Sequence, residues 1–353
     1  MLNKYEAKWE LIGPAKHLES STKIIGRNIT FVNDGVEIEV DEKYINESLM
    51  AYGLLDSNPV SAPAQKGKAE SKEERSQLLL RRVLGGNKDV TMGELKTNEE
   101  EAIVKELEGE DAVRYKSIAA KLNFVAPDRP EALFATKECM RAMSKPTEED
   151  EAKLKRLLRY FKGKPREAIK MAKGGQLDRL IVYVDADFAG CRKSRRSTCG
   201  GCVLWGSGML KAWSKTITTL ALSSGESELA AMAKGAAEGL GVESILKDFG
   251  INVAVEIHSD ATAAIGIANR QGLGRIRHVA VADLWVQQRL KAGDFKVFKV
   301  NGLDNPSDLM TKALDSVRIE LLLSLMGVVS KSELIVPLRG SQGDGGVKRV
   351  AQS

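Results

Sequence analysis

Aromatic residues are scarce in this chain: Phe, Trp and Tyr make up 5% of its 353 residues. That argues against a row of stacking rings as the main device for holding nucleic acid. Histidine is rarer still, limited to His17, His258 and His278. The four cysteines, Cys139, Cys191, Cys199 and Cys202, include one close pair, Cys199-Gly200-Gly201-Cys202. No second Cys pair or His pair follows, which argues against a four-ligand zinc site. Thiols packed in a reducing compartment are expected instead. Long apolar runs are missing too. The longest near the C-terminus, Leu321-Leu322-Leu323-Ser324-Leu325-Met326, is far short of the roughly 20 residues that span a bilayer. No apolar stretch follows Met1-Leu2-Asn3-Lys4-Tyr5-Glu6, so no signal peptide is expected. Charge of one sign is lacking as well: 53 basic against 48 acidic residues leave a net +5. Such a balance permits nucleic-acid binding without demanding it. The expectation is a soluble, intracellular protein with no membrane partner.

What is present is 43% hydrophobic residues, enough for a core, in a length suited to two domains or one with appendages. Residues 24–32 and 36–40 read as strands around Asn33-Asp34-Gly35, a hairpin signal. A short helix is expected over 41–53, and Pro59 and Pro63 close this first block, 1–63. Residues 64–112 are charged, from Lys66-Gly67-Lys68 to Glu99-Glu100-Glu101, and read as a flexible insert. Residues 113–178 read as a helical region with breaks at Pro127 and Pro130. A third helix opens at Pro146-Thr147-Glu148-Glu149-Asp150, and a Gly/Lys-rich connector covers 164–178. Residues 179–316 alternate, with strands near 180–185, 199–205, 209–215, 255–259 and 295–300. Helices are expected near 224–248, 261–270, 279–292 and 305–314. The architecture implied is α/β: a mixed five-stranded sheet flanked by helices, preceded by a smaller α+β and helical region. A C-terminal helix and a disordered tail are expected over 317–353.

Four acidic residues stand at element boundaries in the second half: Asp185, Glu228, Asp260 and Asp308. Asp185 ends Ile181-Val182-Tyr183-Val184, and Asp260 ends Val255-Glu256-Ile257-His258-Ser259. Glu228 and Asp308 lie in expected helices. Strand Asp, helical Glu, strand Asp and late helical Asp make a cage for hard divalent cations, suited to phosphodiester hydrolysis. Two neighbours compete. Asp187 would share the face of Asp185 if the strand continued, but Phe188-Ala189-Gly190 suggests that it ends. Glu226 fits a capping box with Ser223, which leaves Glu228 for the cage.

The motifs Asp185-Ala186-Asp187-Phe188-Ala189-Gly190, Arg196-Ser197-Thr198-Cys199-Gly200, Trp213-Ser214-Lys215, Ala221-Leu222-Ser223-Ser224-Gly225-Glu226-Ser227-Glu228, Arg277-His278 and Asp308-Leu309-Met310-Thr311-Lys312 carry a family likeness. In them the chain resembles the ribonuclease H domain of copia-type LTR retrotransposon Pol polyproteins. Upstream, Tyr115-Lys116-Ser117-Ile118-Ala119-Ala120-Lys121-Leu122, Met143-Ser144-Lys145-Pro146-Thr147-Glu148 and Pro59-Val60-Ser61-Ala62-Pro63 look like the end of the reverse transcriptase. The resemblance implies a ribonuclease H-like fold over 179–316, a reverse-transcriptase remnant over 1–63 and its connection over 113–178. It implies that Asp185, Glu228, Asp260 and Asp308 share two Mg²⁺ ions, with Mn²⁺ able to substitute. The substrate implied is an RNA–DNA hybrid, cut in its RNA strand. The partners implied are the rest of the Pol polyprotein, reverse-transcriptase palm and integrase, in a cytoplasmic virus-like particle and in the nucleus. Tyr-x-Asp-Asp is absent, so the chain alone is not expected to polymerise. After Arg277-His278 come Val279-Ala280-Val281-Ala282-Asp283, which departs from the family pattern.

Phosphate contacts are expected from the basic loop Arg192, Lys193, Arg195 and Arg196 with Ser197 and Thr198, and from Lys215 and Arg277. The loop also reads as a solvated turn, and His278 as a phosphate contact or a helix-start packing residue. Hybrids are recognised through groove shape, 2′-hydroxyls and phosphates, so base-reading side chains are not required. Two alternatives stay open: a non-catalytic nucleic-acid-binding remnant of a decayed element, and a structural part that works only with the missing palm.

Overall fold

A computed structural model describes residues 21–65, 105–191, 194–272 and 281–331. The central parts of the expected insert (66–104) and of the C-terminal tail (332–353) lie outside the described residues.

Two five-stranded sheets form the frame. The first has the order β1-β2-β3-β4-β10, all antiparallel: β1 (Ser21–Ile24), β2 (Arg27–Val32), β3 (Gly35–Val40), β4 (Glu167–Ala172) and β10 (Val328–Ser330). The Asn33-Asp34 turn joins β2 to β3, pairing Val32 with Gly35. The single strand expected over 24–32 is instead a second hairpin. Ile25 and Gly26 both take positive φ, 48° and 72°, and turn the chain between β1 and β2. A β-branched residue in that region gives no turn signal in sequence.

The helical region has α1 (Lys43–Ala51), α2 (Gly109–Val125), α3 (Leu133–Arg141) and α4 (Glu148–Gly163). The start of α2 falls inside the range expected as insert. Its end is set by the Pro127 and Pro130 turns. Helix α4 is opened by Thr147, whose hydroxyl accepts from the Asp150 N–H while Asp150 caps in return. Tyr115, Leu122, Leu154, Leu157, Leu158 and Phe161 fill the core between these helices, with the thiol of Cys139.

The second sheet has the order β7-β6-β5-β8-β9: β5 (Arg179–Asp187), β6 (Thr198–Trp205), β7 (Gly208–Thr216), β8 (Ala254–Ser259) and β9 (Lys296–Lys299). Strands β5, β6 and β7 are antiparallel, whereas β8 and β9 run parallel to β5. This mixed sheet with its helices is the ribonuclease H-like fold that the motifs implied. Helices α5 (Ser224–Asp248), α6 (Thr262–Asn269) and α7 (Val281–Ala292) cover one face. Leu180, Val182 and Val184 of β5 meet Leu229, Met232 and Ala236 of α5 there. Gly235 lets α5 close on the sheet, since a Cβ would stand 2.3 Å from Val184. Helix α5 ends at Asp248, and Gly250, in the left-handed region at φ 78°, turns the chain away after its cap.

The opposite face of the second sheet is not a free surface. Cys202, Leu204, Met209 and Ala212 pack against Ile169 of β4 and against α8 (Ser316–Leu325), whose Ile319, Leu322 and Leu323 join Met326 and Val328. The chain leaves the first sheet after β4, builds the second, and returns through α8 to add β10 beside β4. The segments expected as a connector (164–178) and as a C-terminal appendage (317–353) thus supply strands β4 and β10. Three residues with a distant partner, as in β10, carry no periodicity to read. Cys199 and Cys202, three apart on β6, fall on opposite faces and in different cores, so they form no half zinc site.

Candidate metal centre

Asp185 sits on β5, only 3% exposed, with Gly200 as its partner on β6. Gly200 has to be glycine: the turn Pro306–Met310 crosses so closely that a Cβ would lie 2.7 Å from Met310 Cβ. Asn305 pins that turn by donating to the Val184 carbonyl at 3.1 Å. The Thr311 hydroxyl then donates to Asp185 Oδ2. Glu228 comes from the second turn of α5, and Asp260 follows the end of β8. One carboxylate oxygen from each of Asp185, Glu228 and Asp260 lies within 4.8 Å of the others.

Crowding three carboxylates is electrostatically costly. Burial, and then the charges of Asp185 and Asp260, push the Glu228 carboxyl up to about 8. Burial and Asp185 raise Asp260 as well. Among the described residues, Glu228 Oε2 is buried without a hydrogen-bond partner. A cluster of hard oxygens with an unpaired buried acceptor fits a divalent cation such as those carboxylates prefer.

Asp308 departs from expectation. It lies on a 3₁₀ turn rather than an α-helix, and it does not join the three converging carboxylates. Lys312, four residues on, takes Asp308 Oδ1 at 2.7 Å, and Arg318 takes Oδ2 at 3.4 Å. Burial still raises the Asp308 carboxyl, against the pull of Lys312. Thr311, Lys312 and Arg318 were not singled out as site residues by sequence. The Asp–Lys spacing of four was the available signal.

The competitors resolve cleanly. Strand β5 runs on through Asp187, contrary to expectation, so Asp185 and Asp187 share a face. Asp187 folds against Gly190 instead, where a Cβ would fall 1.6 Å from its Oδ2, and stays out of the triad. Glu226 caps α5: Ser223 Oγ accepts from its N–H at 3.3 Å, and its own Oε2 accepts from the Leu222 N–H at 2.8 Å. Glu226→Gln should therefore lower stability by about 1 kcal/mol or less and leave hydrolysis intact. Paired melting and rate measurements check this, and a rate loss would show that Glu226, rather than capping alone, serves the site.

Of the residues expected to contact phosphates, Arg195, Arg196 and Lys215 are exposed. Ser197 and Thr198 are not available, being buried at 1% and 3%. Ser197 Oγ accepts from the Ala189 N–H, and Thr198 Oγ1 accepts from Lys137 Nζ of α3 at 2.7 Å. Their hydroxyls shape the loop from inside. Arg192, Lys193, Arg277 and His278 lie outside the described residues. Beside Lys215 runs an open groove of about 650 Å³, lined by Thr216, Thr218, Lys234 and Trp285 among others.

No family model matches the chain. It is 31% identical over 221 residues to the retrovirus-related Pol polyprotein from transposon RE1 of Arabidopsis thaliana, covering 62% of this chain and 15% of that one. Against the Pol polyprotein from transposon TNT 1-94 of Nicotiana tabacum it is 25% identical over 320 residues, covering 89% and 22%. The chain is thus similar to part of the retrovirus-related Pol polyproteins of transposons. It spans a small part of those polyproteins' length. Among solved structures, LC11-RNase H1 in complex with RNA/DNA hybrid aligns at a TM-score of 0.27 and 15% identity, over 38% of this chain and 94% of that one.

Proposed function

We propose that this chain is a copia-type ribonuclease H that hydrolyses the RNA strand of RNA–DNA hybrids during reverse transcription. The observation that carries the reading is the convergence of Asp185, Glu228 and Asp260 on one point, with a buried oxygen of Glu228 left unpaired. These three residues would hold Mg²⁺, the first of two ions. Bound divalent ions supply an activated water and charge stabilisation at the leaving oxygen. The chain's own residues do the rest. Thr311 and Asn305 fix the Asp185 carboxylate and the turn beside it. Arg195, Arg196 and Lys215 offer exposed positive charge for phosphates, and the groove beside Lys215 offers room for a strand. The rest of the polyprotein, palm and integrase, would supply polymerisation and insertion.

A gel assay on end-labelled RNA–DNA hybrid tests this. The expected result is Mg²⁺-dependent cutting of the RNA strand, with none in EDTA and none of the DNA strand. No extension of a primer on an RNA template is expected. A pure, folded chain that leaves the hybrid whole at saturating Mg²⁺ and Mn²⁺ would refute the proposal.

A further inference from the structure

Asp308 is the carboxylate left out of the triad, and the two cations that hold it are held differently themselves. Arg318 donates to the Gly302 carbonyl at 2.8 Å and to the Leu303 carbonyl, so the loop after β9 fixes its guanidinium. Among the described residues, Lys312 has no such carbonyl anchor. Its Nζ lies 2.7 Å from Asp308 Oδ1 and 3.4 Å from Asp185 Oδ2, and its side chain remains 43% exposed. A compact ammonium on a flexible, partly exposed stem can leave for water far more readily than a guanidinium locked to carbonyls. Asp185 is therefore shared: it belongs to the triad on one side and to Lys312 on the other.

We propose that Lys312 is a built-in cation that occupies the Asp185–Asp308 side of the site. The chain then binds one divalent ion strongly through Asp185, Glu228 and Asp260. It admits a second ion only when the Lys312 ammonium swings out. This rests on the metal-dependent reading above. The physical ground is competition: the ammonium and a divalent ion seek the same two carboxylates, and like charges cannot share them at contact distance. Lys312 is thus a positioning residue that sets the order in which ions load.

Titrating the full chain with Mn²⁺, by calorimetry and by electron paramagnetic resonance of free Mn²⁺, counts bound ions without turnover. Wild type should show one strong site and a much weaker second. Lys312→Met should strengthen the second by at least about tenfold, and Lys312→Arg should retain the wild-type pattern. Melts in EDTA check that each variant folds. If Lys312→Met does not melt cooperatively, Lys312→Gln takes its place in the same comparison. Equal second-ion affinity in wild type and the neutral variant, with the first ion bound in both, overturns the role of Lys312 and leaves the triad standing. No ion bound by any of them removes the triad reading and this proposal together.

Discussion

Asp185→Asn and Asp260→Asn should each leave a folded protein whose cleavage of the hybrid falls by several orders of magnitude. Neither change removes an apolar contact, and each removes a negative charge from a crowded cluster. Glu228→Gln should lose activity likewise, but it carries a second signature. Its folded carboxyl is raised from the ordinary 4.5 to about 8, by burial and then by Asp185 and Asp260. A raised carboxyl binds its proton more tightly folded than unfolded. Without metal its stabilising protonation is fully present below the ordinary value and is lost as pH climbs to about 8. The cost, for a partly buried group, is on the order of 3 kcal/mol. Melting temperature in EDTA should therefore fall between about pH 5 and pH 8. In Glu228→Gln the fall should be shallower, and the midpoint at high pH should rise. Superimposable pH profiles for the two proteins would show that Glu228 is not squeezed by its neighbours.

Residues 176–316 expressed alone should fail to give a cooperative fold. The segment keeps every triad residue and the whole second sheet. It loses Ile169, Ile319, Leu322, Leu323, Met326 and Val328, which cover Cys202, Leu204, Met209 and Ala212. At about 2 kcal/mol for each large apolar side chain, the loss is on the order of 10 kcal/mol. That is comparable to the whole stability of a typical domain, about 5–15 kcal/mol. Near-UV circular dichroism and a denaturant melt decide it. A sharp transition matching the full chain would mean that the shared core contributes little. Failure of the fragment beside activity of the full chain would also favour a nuclease unit that depends on the first sheet.

The second sheet was legible because its central strand announces itself. Leu180 to Val184 form a continuous apolar run, as expected of a strand covered on both faces. Ser223 and Gly250 punctuate α5 at both ends. The triad was legible for a related reason: an ionisable residue at the end of an apolar strand is conspicuous. The ion pairs of Asp308 with Lys312 and Arg318 were not legible because what decides its partners is tertiary. The crossing of the Pro306–Met310 turn over Gly200 and the anchoring of Arg318 by loop carbonyls leave no local trace. Strand β10 escaped notice because it is three residues long, and β4 because it lies in a Gly/Lys-rich stretch and finds its partners far along the chain. Ser197 and Thr198 looked like phosphate ligands because hydroxyls beside arginines usually face water. Lys137 of α3 donates to the Thr198 hydroxyl and the Ala189 N–H donates to that of Ser197, so both are turned inward.

The distribution of the thiols has a use of its own. Cys139 lies in the helical core, Cys199 in the core beneath α5, and Cys202 in the core shared by the two sheets. Cys191, partly exposed and with its thiol lowered to about 7, stands outside all three. Each core thus carries one native reporter, and a fast-reacting fourth calibrates the reagent. Alkylation under native conditions, followed cysteine by cysteine, reads the opening free energy of each core separately. No probe needs to be introduced to learn which part of the molecule breathes first.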